Sequence, residues 1–331
     1  MELSLLPPAP PVPLTARPRG AGLVRWAWQR VRGYSRGVQA PPAGDAEQAL
    51  FGFAQPILGV RVLLKDPELL KEALYPAALL AAACALYASF GTESYGHWGW
   101  FKSFYKAFAY MAPLPSFFFA NHYARLAAMI RWRMGFGACG PREMSWGLLS
   151  SRMIRQALIV AIGISPLILL ARLLPGIGHV LSGAILAIWS LHWVVADAFD
   201  DAQVCLPGES VKQSLQRDRE APEPWFVRWL NKGAARLPRI FGGPIRLFAR
   251  LCDWLALDSR GEIAAMESNR SLSVGFSLST AALLATPVLN LLFRPIIIAG
   301  SSHLLGQLEK EETVGGEKHL LAERTQAQTL R

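Results

Sequence analysis

The sequence has 331 residues, with 34 Lys and Arg against 24 Asp and Glu, and a formal net charge of +10. Hydrophobic residues make up 52% and charged residues 18%, with a mean hydropathy of +0.25, which is unusual for a water-solvated surface and disfavours an ordinary soluble domain. Arginines flank long apolar blocks, so the positive charge indicates anionic lipid head groups rather than nucleic acid as the partner.

Residues 1–50 are predicted to form a disordered, basic and proline-rich tail. Five prolines lie between residues 7 and 13, too many for a helix. Trp26 and Trp28 then lie among arginines with no acidic residue from Arg17 to Arg36, as in a segment at a membrane interface. An organelle transit peptide is the alternative.

The next segments predict a surface helix and two spanning helices. Apolar residues recur at helical spacing over residues 51–64, which predicts a helix lying along the membrane surface. Residues 68–90 predict the first span, because the uncharged stretch from Ala73 onward nearly crosses a hydrocarbon core of about 30 Å. Residues 101–130 predict a second span, kinked near Pro113 and Pro115.

Arginine placement predicts the orientation. The loop from Asn121 to Arg155 contains six arginines against the single acid Glu143, which predicts a cytoplasmic loop. Two spans then place the amino terminus on the same side, in agreement with its own arginines. We expect a multi-pass protein of the bacterial inner membrane with a cytoplasmic amino terminus.

Two shorter helical hairpins are predicted in the second half. Residues 156–172 and 177–199 form the first, and the short first arm leaves open whether it crosses the membrane or inserts halfway. In the second hairpin, residues 274–293 form the first arm and residues 295–306 form the returning arm. Residues 200–273 are predicted to be a cytoplasmic or interfacial segment with an amphipathic helix from Pro244 to Leu257, and residues 308–331 a polar tail.

The order of segments resembles the superfamily of etoposide-induced membrane proteins and CysZ-type sulfate permeases. One stretch begins at Gly59 and runs Gly-Val-Arg-Val-Leu-Leu-Lys-Asp-Pro-Glu-Leu-Leu; it is similar to the family's approach to its first long helix. The other carries Gly275-Phe276, Thr286-Pro287-Val-Leu-Asn290, Pro295 and Ala299-Gly300. The likeness covers residues 50–307, within the membrane domain predicted at residues 51–307.

The resemblance implies an all-α integral membrane protein. Its fold would have two long transmembrane helices, two shorter hairpins that cross or insert halfway, and amphipathic surface helices. Its implied activity is sulfate permeation, although two acids, Asp66 and Glu68, lie where the family has a basic sequence.

Six residues are candidates for a solute path. Arg172 and Arg294 each lie between apolar arms, where a guanidinium either reaches the head groups or lines an anion path. Asn290 and His303 would be polar neighbours of Arg294. The last two candidates, His192 and Asp197, precede Asp200 and Asp201 near the end of an apolar segment, where a hydrated helix end is the alternative.

These features favour a channel or permease for a small solute, with an inorganic anion such as sulfate as the candidate. A scaffold, tether or membrane-shaping protein is the alternative. We expect no enzyme, cofactor or metal site, a lipid bilayer as the main partner, and a homo-oligomer. The G-x-G-x-x-G match from Gly135 to Gly140 is interpreted as a loop, because a dinucleotide site needs a preceding strand.

Overall fold

The computed structural model describes residues 22–90, 96–111, 117–284 and 293–310. Helices dominate this part of the chain, which confirms the all-α prediction. The helices are α1 Gly22–Tyr34, α2 Asp45–Lys65, α3 Pro67–Phe90, α4 Gly96–Met111, α5 Ala120–Arg133, α6 Trp146–Ile162, α7 Ser165–Arg172, α8 Gly178–Asp201, α9 Val211–Glu220, α10 Trp225–Ala235, α11 Arg239–Ala256, α12 Arg260–Ser268, α13 Arg270–Leu284 and α14, residues 293–310.

Two short strands connect the segment after α5 with the segment after α8. Strand β1, Gly140–Pro141, pairs antiparallel with β2, Val204–Cys205. The glycine-rich stretch before β1 follows helix α5 rather than a strand, and Gly135 and Gly137 have φ angles of 81° and 91°. This stretch is therefore a loop, as predicted.

Three stretches are long and apolar enough to cross a membrane, by length and composition: Pro67–Phe90, Trp146–Arg172 and Gly178–Asp201. The second begins ten residues before the predicted arm at 156–172, so that arm is not short. Residues 101–130 fall on α4 and α5, with residues 112–116 outside the described chain. Residues 285–292 are also outside it, so the spans at 101–130 and 274–293 stay predictions.

The amino-terminal region differs from the predicted tail. The proline cluster and the rest of residues 1–21 lie outside the described chain, but α1 is helical and α2 begins at Asp45. Trp26, Val31 and Tyr34 of α1 are buried, and the Arg30 guanidinium lies 3.2 Å from the Glu47 carboxylate. The helix forms here because α2 supplies both an apolar surface and a countercharge.

Helix α2 forms the core instead of lying on a surface, which corrects the prediction for residues 51–64. Phe51, Leu58 and Val62 are fully buried. A Cβ on Gly275 of α13 would lie 1.8 Å from the carbonyl oxygen of Ala49, so the helix backbones are in direct contact. Small residues thus let α13 and α14 cover the apolar face of α2.

The region after α8 folds into short helices. The amphipathic helix predicted from Pro244 begins five residues earlier, at Arg239, and pairs with α10. Both helices leave large apolar side chains exposed, among them Trp229, Ile240 and Leu247. At the end of the chain, α14 extends beyond the predicted arm at 295–306; residues 311–331 are outside the described chain.

Candidate functional site

A cavity of about 570 Å³ lies between α5, α6, α8 and the start of α14. Its wall combines apolar side chains with charged ones. The charged residues lining it are Arg142, Arg152, Asp197, Asp200, Asp201 and Arg294. Ionisable groups between two helices of spanning length are costly to bury, so they mark this cavity as the candidate site.

Helix α8 brings its acids to the cavity at its carboxyl-terminal end. Asp197 and Asp201 are one turn apart on the same face, and Trp193 lies one turn before them. Carboxylates at this end of a helix add to the negative end of the helix dipole. Cations from other elements are therefore needed to hold them in place.

Arg294, near the start of α14, supplies the first of these cations. Its guanidinium pairs with the Asp197 carboxylate and lies 3.0 Å from Oδ2 of Asp201. The amide of Gln156 on α6 also donates to Asp197, at 3.3 Å. These contacts connect α6, α8 and α14 at one wall of the cavity.

A larger ion-pair network forms the other wall. Arg152 of α6 lies 2.6 Å from Asp200 and 3.4 Å from Glu262 of α12. Arg142 lies 2.5 Å from Asp218 of α9 and 3.8 Å from Glu262. Asp218 and Glu262 thus come from outside the cavity lining, whereas Asp200 also lines the cavity.

The network leaves one acid in an unfavourable environment. Glu262 is fully buried, and burial, followed by repulsion from Asp218 and Asp200, raises its pKa to about 8 despite two arginine neighbours. Burial also raises the pKa of Asp218. Because the desolvation cost falls on the ionised form, burial favours the protonated forms of these two carboxyl groups.

One buried donor at the cavity has no hydrogen-bond partner among the described residues. Trp193 is 4% exposed and its indole Nε1 is unpartnered. Arg142, which is 2% exposed, is instead held by its ion pair with Asp218 at 2.5 Å. Buried donors are normally satisfied, so the Trp193 indole is the exception at this site.

The structure brings two of the six predicted path residues together, namely Asp197 and Arg294. His192 lies on α8, where its ring stacks on Trp189 at 5.9 Å; it is not among the residues that line the cavity. Arg172 is exposed at the end of α7. Asn290 lies outside the described chain.

The remaining predicted residue, His303, is in the core of the helical bundle. Its Nδ1 lies 2.7 Å from Oε1 of Gln55, and its Nε2 lies 3.4 Å from the Gln307 amide. The rings of Phe51 and Phe136 each lie 5.9 Å from the His303 ring. His303 therefore joins α2 to α14 and does not line the cavity.

Sequence reasoning missed Arg142, Arg152 and Trp193 as members of the site. The two arginines were used only as indicators of the cytoplasmic side. The available signal was the helical spacing of Trp193, Asp197 and Asp201, which places a polar stripe on an otherwise apolar helix. In the described residues, no group of three His, Cys, Asp or Glu side chains is arranged to hold a metal ion.

Comparison of the chain with protein-family models, curated proteins and solved structures finds no match.

Proposed function

We propose that the chain is a multi-pass membrane protein that carries a small solute, as a channel or permease, through the cavity between α6 and α8. The observation that carries the proposal is the cavity itself. Six charged side chains line it, and two of the helices around it belong to stretches with the length and composition of membrane spans. Buried charges in such a place are expensive and commonly belong to a solute path.

The outer surface of these helices supports a lipid environment. Within the most apolar 18 residues of Trp146–Arg172, only 6% are buried inside the fold. Leu169, Leu173 and Val180 are more than half exposed. An apolar surface of this extent on a water-soluble monomer would favour aggregation, whereas lipid tails cover it without cost.

We also propose membership of the superfamily of etoposide-induced proteins and CysZ-type permeases. The support is that the two sequence stretches carrying the resemblance are in contact. A Cβ on Gly59 would lie 2.4 Å from the carbonyl oxygen of Ile296, and one on Gly300 would lie 2.9 Å from that of Gln55. Gly59 and Gly300 thus share a packing role at the contact between α2 and α14.

The acids that replace the family's basic sequence have a structural role here. Oδ1 of Asp66 accepts from the backbone N–H groups of Glu68 and Leu69 and so caps α3. Arg133 pairs with both Asp66, at 3.3 Å, and Glu68, at 2.5 Å. The anion-binding role that the resemblance implies for this stretch is therefore not supported by its contacts.

Solute flux into proteoliposomes tests the transport proposal. We expect flux above empty vesicles for at least one solute in a panel of sulfate, chloride, potassium and alanine. Arg294→Ala should change that flux more than Arg246→Ala, because Arg246 is exposed on α11. If anions permeate, the change should be a loss. The absence of flux for every solute, from a monodisperse sample, would refute the proposal.

Labelling of single-cysteine variants tests the orientation. We propose a cytoplasmic amino terminus in a bacterial inner membrane, which places the loop with Arg142 on the same side. Cysteines at either end of α8 should then react from opposite sides of sealed vesicles. Reaction of both from one side would show that the hairpin inserts without crossing.

The second candidate is a membrane scaffold or membrane-shaping protein, favoured by the α10–α11 pair. Trp229, Ile240 and Phe241 are more than half exposed there, and exposed Lys232 and Arg239 lie beside them. Such a surface binds anionic membrane interfaces. Vesicle deformation by a protein that conducts no solute would favour this function.

A further inference from the structure

The cavity follows α6 and α8, which run antiparallel along it. The contacts that align the two helices are Arg152 with Asp200 at 2.6 Å, the Gln156 amide with Asp197 at 3.3 Å, and the Trp189 indole with the carbonyl of Val160 at 2.9 Å. On α6 the lining runs from Leu149 to Ala161, a rise of about 18 Å. The cavity is therefore an elongated cleft beside these helices.

The two ends of this cleft differ in chemistry. All six charged lining residues lie at the end where α6 begins and α8 finishes, since Arg142 and Arg294 pair with acids there. The other end is lined without charge, by Ala157, Val160, Ala161, Ser190, Trp193 and Val194. A molecule that fills the whole cleft at low cost must be polar at one end and apolar at the other.

The charges at the polar end are already paired within the fold. The pairs are Arg294 with Asp197 and Asp201, Arg152 with Asp200, and Arg142 with Asp218. A charged ligand would have to replace one partner and leave a buried charge unpaired. Hydroxyl groups break no pair, because guanidinium and carboxylate groups have more hydrogen-bonding positions than one ion pair uses. Since a hydroxyl both donates and accepts, it suits this mixed wall.

The apolar end of the cleft is open at the outer surface of α6. Ala157 and Ala161 line the cleft and are nevertheless exposed. The neighbouring side chains of Ile154 and Leu158 are exposed and apolar, 60% and 43% respectively. A lipid can therefore enter the cleft sideways from the bilayer without passing through water.

We propose that this cleft binds an uncharged amphiphile from the membrane, of the monoacylglycerol type. Its hydroxyl head group binds at the paired charges, and its acyl chain lies along Ala157, Ala161 and Val194. The volume of about 570 Å³ lies within the usual range for ligands of this size. The inference rests on the proposed membrane location and uses the cavity of the proposed solute path, but it does not require transport.

Photolabelling in vesicles tests the site. The full chain is reconstituted in phosphatidylcholine vesicles free of glycoside detergents, because those detergents are themselves uncharged amphiphiles. The probe is a monoacylglycerol with a diazirine in its acyl chain, and labelled residues are located by mass spectrometry. We expect saturable labelling of Ala157, Ala161 and residues 190–194 that excess monoacylglycerol displaces. Labelling of Leu169 and Leu173, which are exposed and do not line the cleft, should not be displaced.

Two competitors with the same acyl chain length test the absence of charge in the head group. An alkyl sulfate carries a permanent negative charge, and an alkyl trimethylammonium a permanent positive charge. We expect each to displace the probe at least about tenfold less well than monoacylglycerol, because either charge must disrupt an ion pair. Equal displacement by one of them would overturn the uncharged head group. The absence of displaceable labelling would overturn the site itself.

Ala157→Phe tests the position of the acyl chain, with Leu158→Phe as the matched control. The first variant places a ring in the cleft, whereas Leu158 is the next residue on α6 and does not line it. We expect Ala157→Phe to weaken probe binding about tenfold. Leu158→Phe should bind the probe as the wild type does. Equal binding by the two variants would overturn the position of the chain.

If Ala157→Phe fails to fold, the competitors with wild-type protein still decide the question. Displaceable labelling without flux of any solute would reject the transport function and leave the amphiphile site intact. Solute flux without displaceable labelling would overturn the site alone. A chain that does not float with the vesicles would reject the membrane location on which both proposals rest.

Discussion

Replacement of Gly275 by alanine tests the close crossing of α2 and α13. The added Cβ would lie 1.8 Å from the carbonyl oxygen of Ala49 and 2.6 Å from its carbonyl carbon. These are backbone atoms of the facing helix, so no side-chain rotation relieves the overlap. The two helices would have to separate by about 1.5 Å to restore ordinary van der Waals contact.

The expected cost follows from two opposing effects. Overpacking costs about 1–3 kcal/mol or more, and a backbone clash belongs at the upper end. Alanine recovers up to about 1 kcal/mol relative to glycine within a helix. We therefore expect Gly275→Ala to lose about 2 kcal/mol, which lowers the melting temperature in detergent by about 4 °C.

Gly183→Ala provides the matched control. Gly183 is also within a helix, α8, and a Cβ there would meet nothing within 4 Å. This variant should be as stable as the wild type or slightly more stable. A melting temperature of Gly275→Ala equal to or above that of Gly183→Ala would contradict the direct backbone contact.

Three further variants test the ion-pair network and a helix cap by thermal unfolding in detergent. Glu262 has a folded pKa of about 8 against an ordinary value of 4.5, so the folded state holds an extra proton between these values and stability falls as pH rises through this window. Glu262→Gln should remove this decline; an unchanged slope would locate the proton elsewhere. Arg142→Met leaves the Asp218 carboxylate buried beside an apolar chain and should cost about 3–5 kcal/mol, most of it recovered by adding Asp218→Leu. No recovery in the double variant would show that the cost is packing. Ser210→Ala removes the capping box at the start of α9 and should cost about 1 kcal/mol or less, whereas Ser210→Asp should not.

The helices long and apolar enough to span a membrane were the most predictable part of the fold. Hydropathy over Pro67–Phe90 and Gly178–Asp201 is a local property, and the predicted limits differ from the observed ones by only one or two residues. The start of α6 was harder to predict because polar residues precede its apolar stretch. Helix propensity continues through Ser150 and Arg155, whereas a hydropathy criterion stops at them.

Helix α2 shows why periodicity alone was insufficient. An apolar stripe beside Arg61 and Lys65 has the same pattern whether lipid or other helices cover it. The glycines that admit α13 and α14 were visible in the sequence, but their partners lie more than 200 residues away. Burial of α2 therefore depended on packing that the local sequence does not encode.

The sequence by itself determined where apolar segments begin and end, and that the chain is helical, because both follow from neighbouring residues. It also placed Asp197 and Asp201 on one helical face. Only the tertiary structure decided which cation meets which acid: Arg294 pairs with acids about 95 residues away, and Arg152 with Glu262, 110 residues away. Ion pairs form between whichever charges the packing brings together out of water, so the cavity and its chemistry exist only in the folded chain.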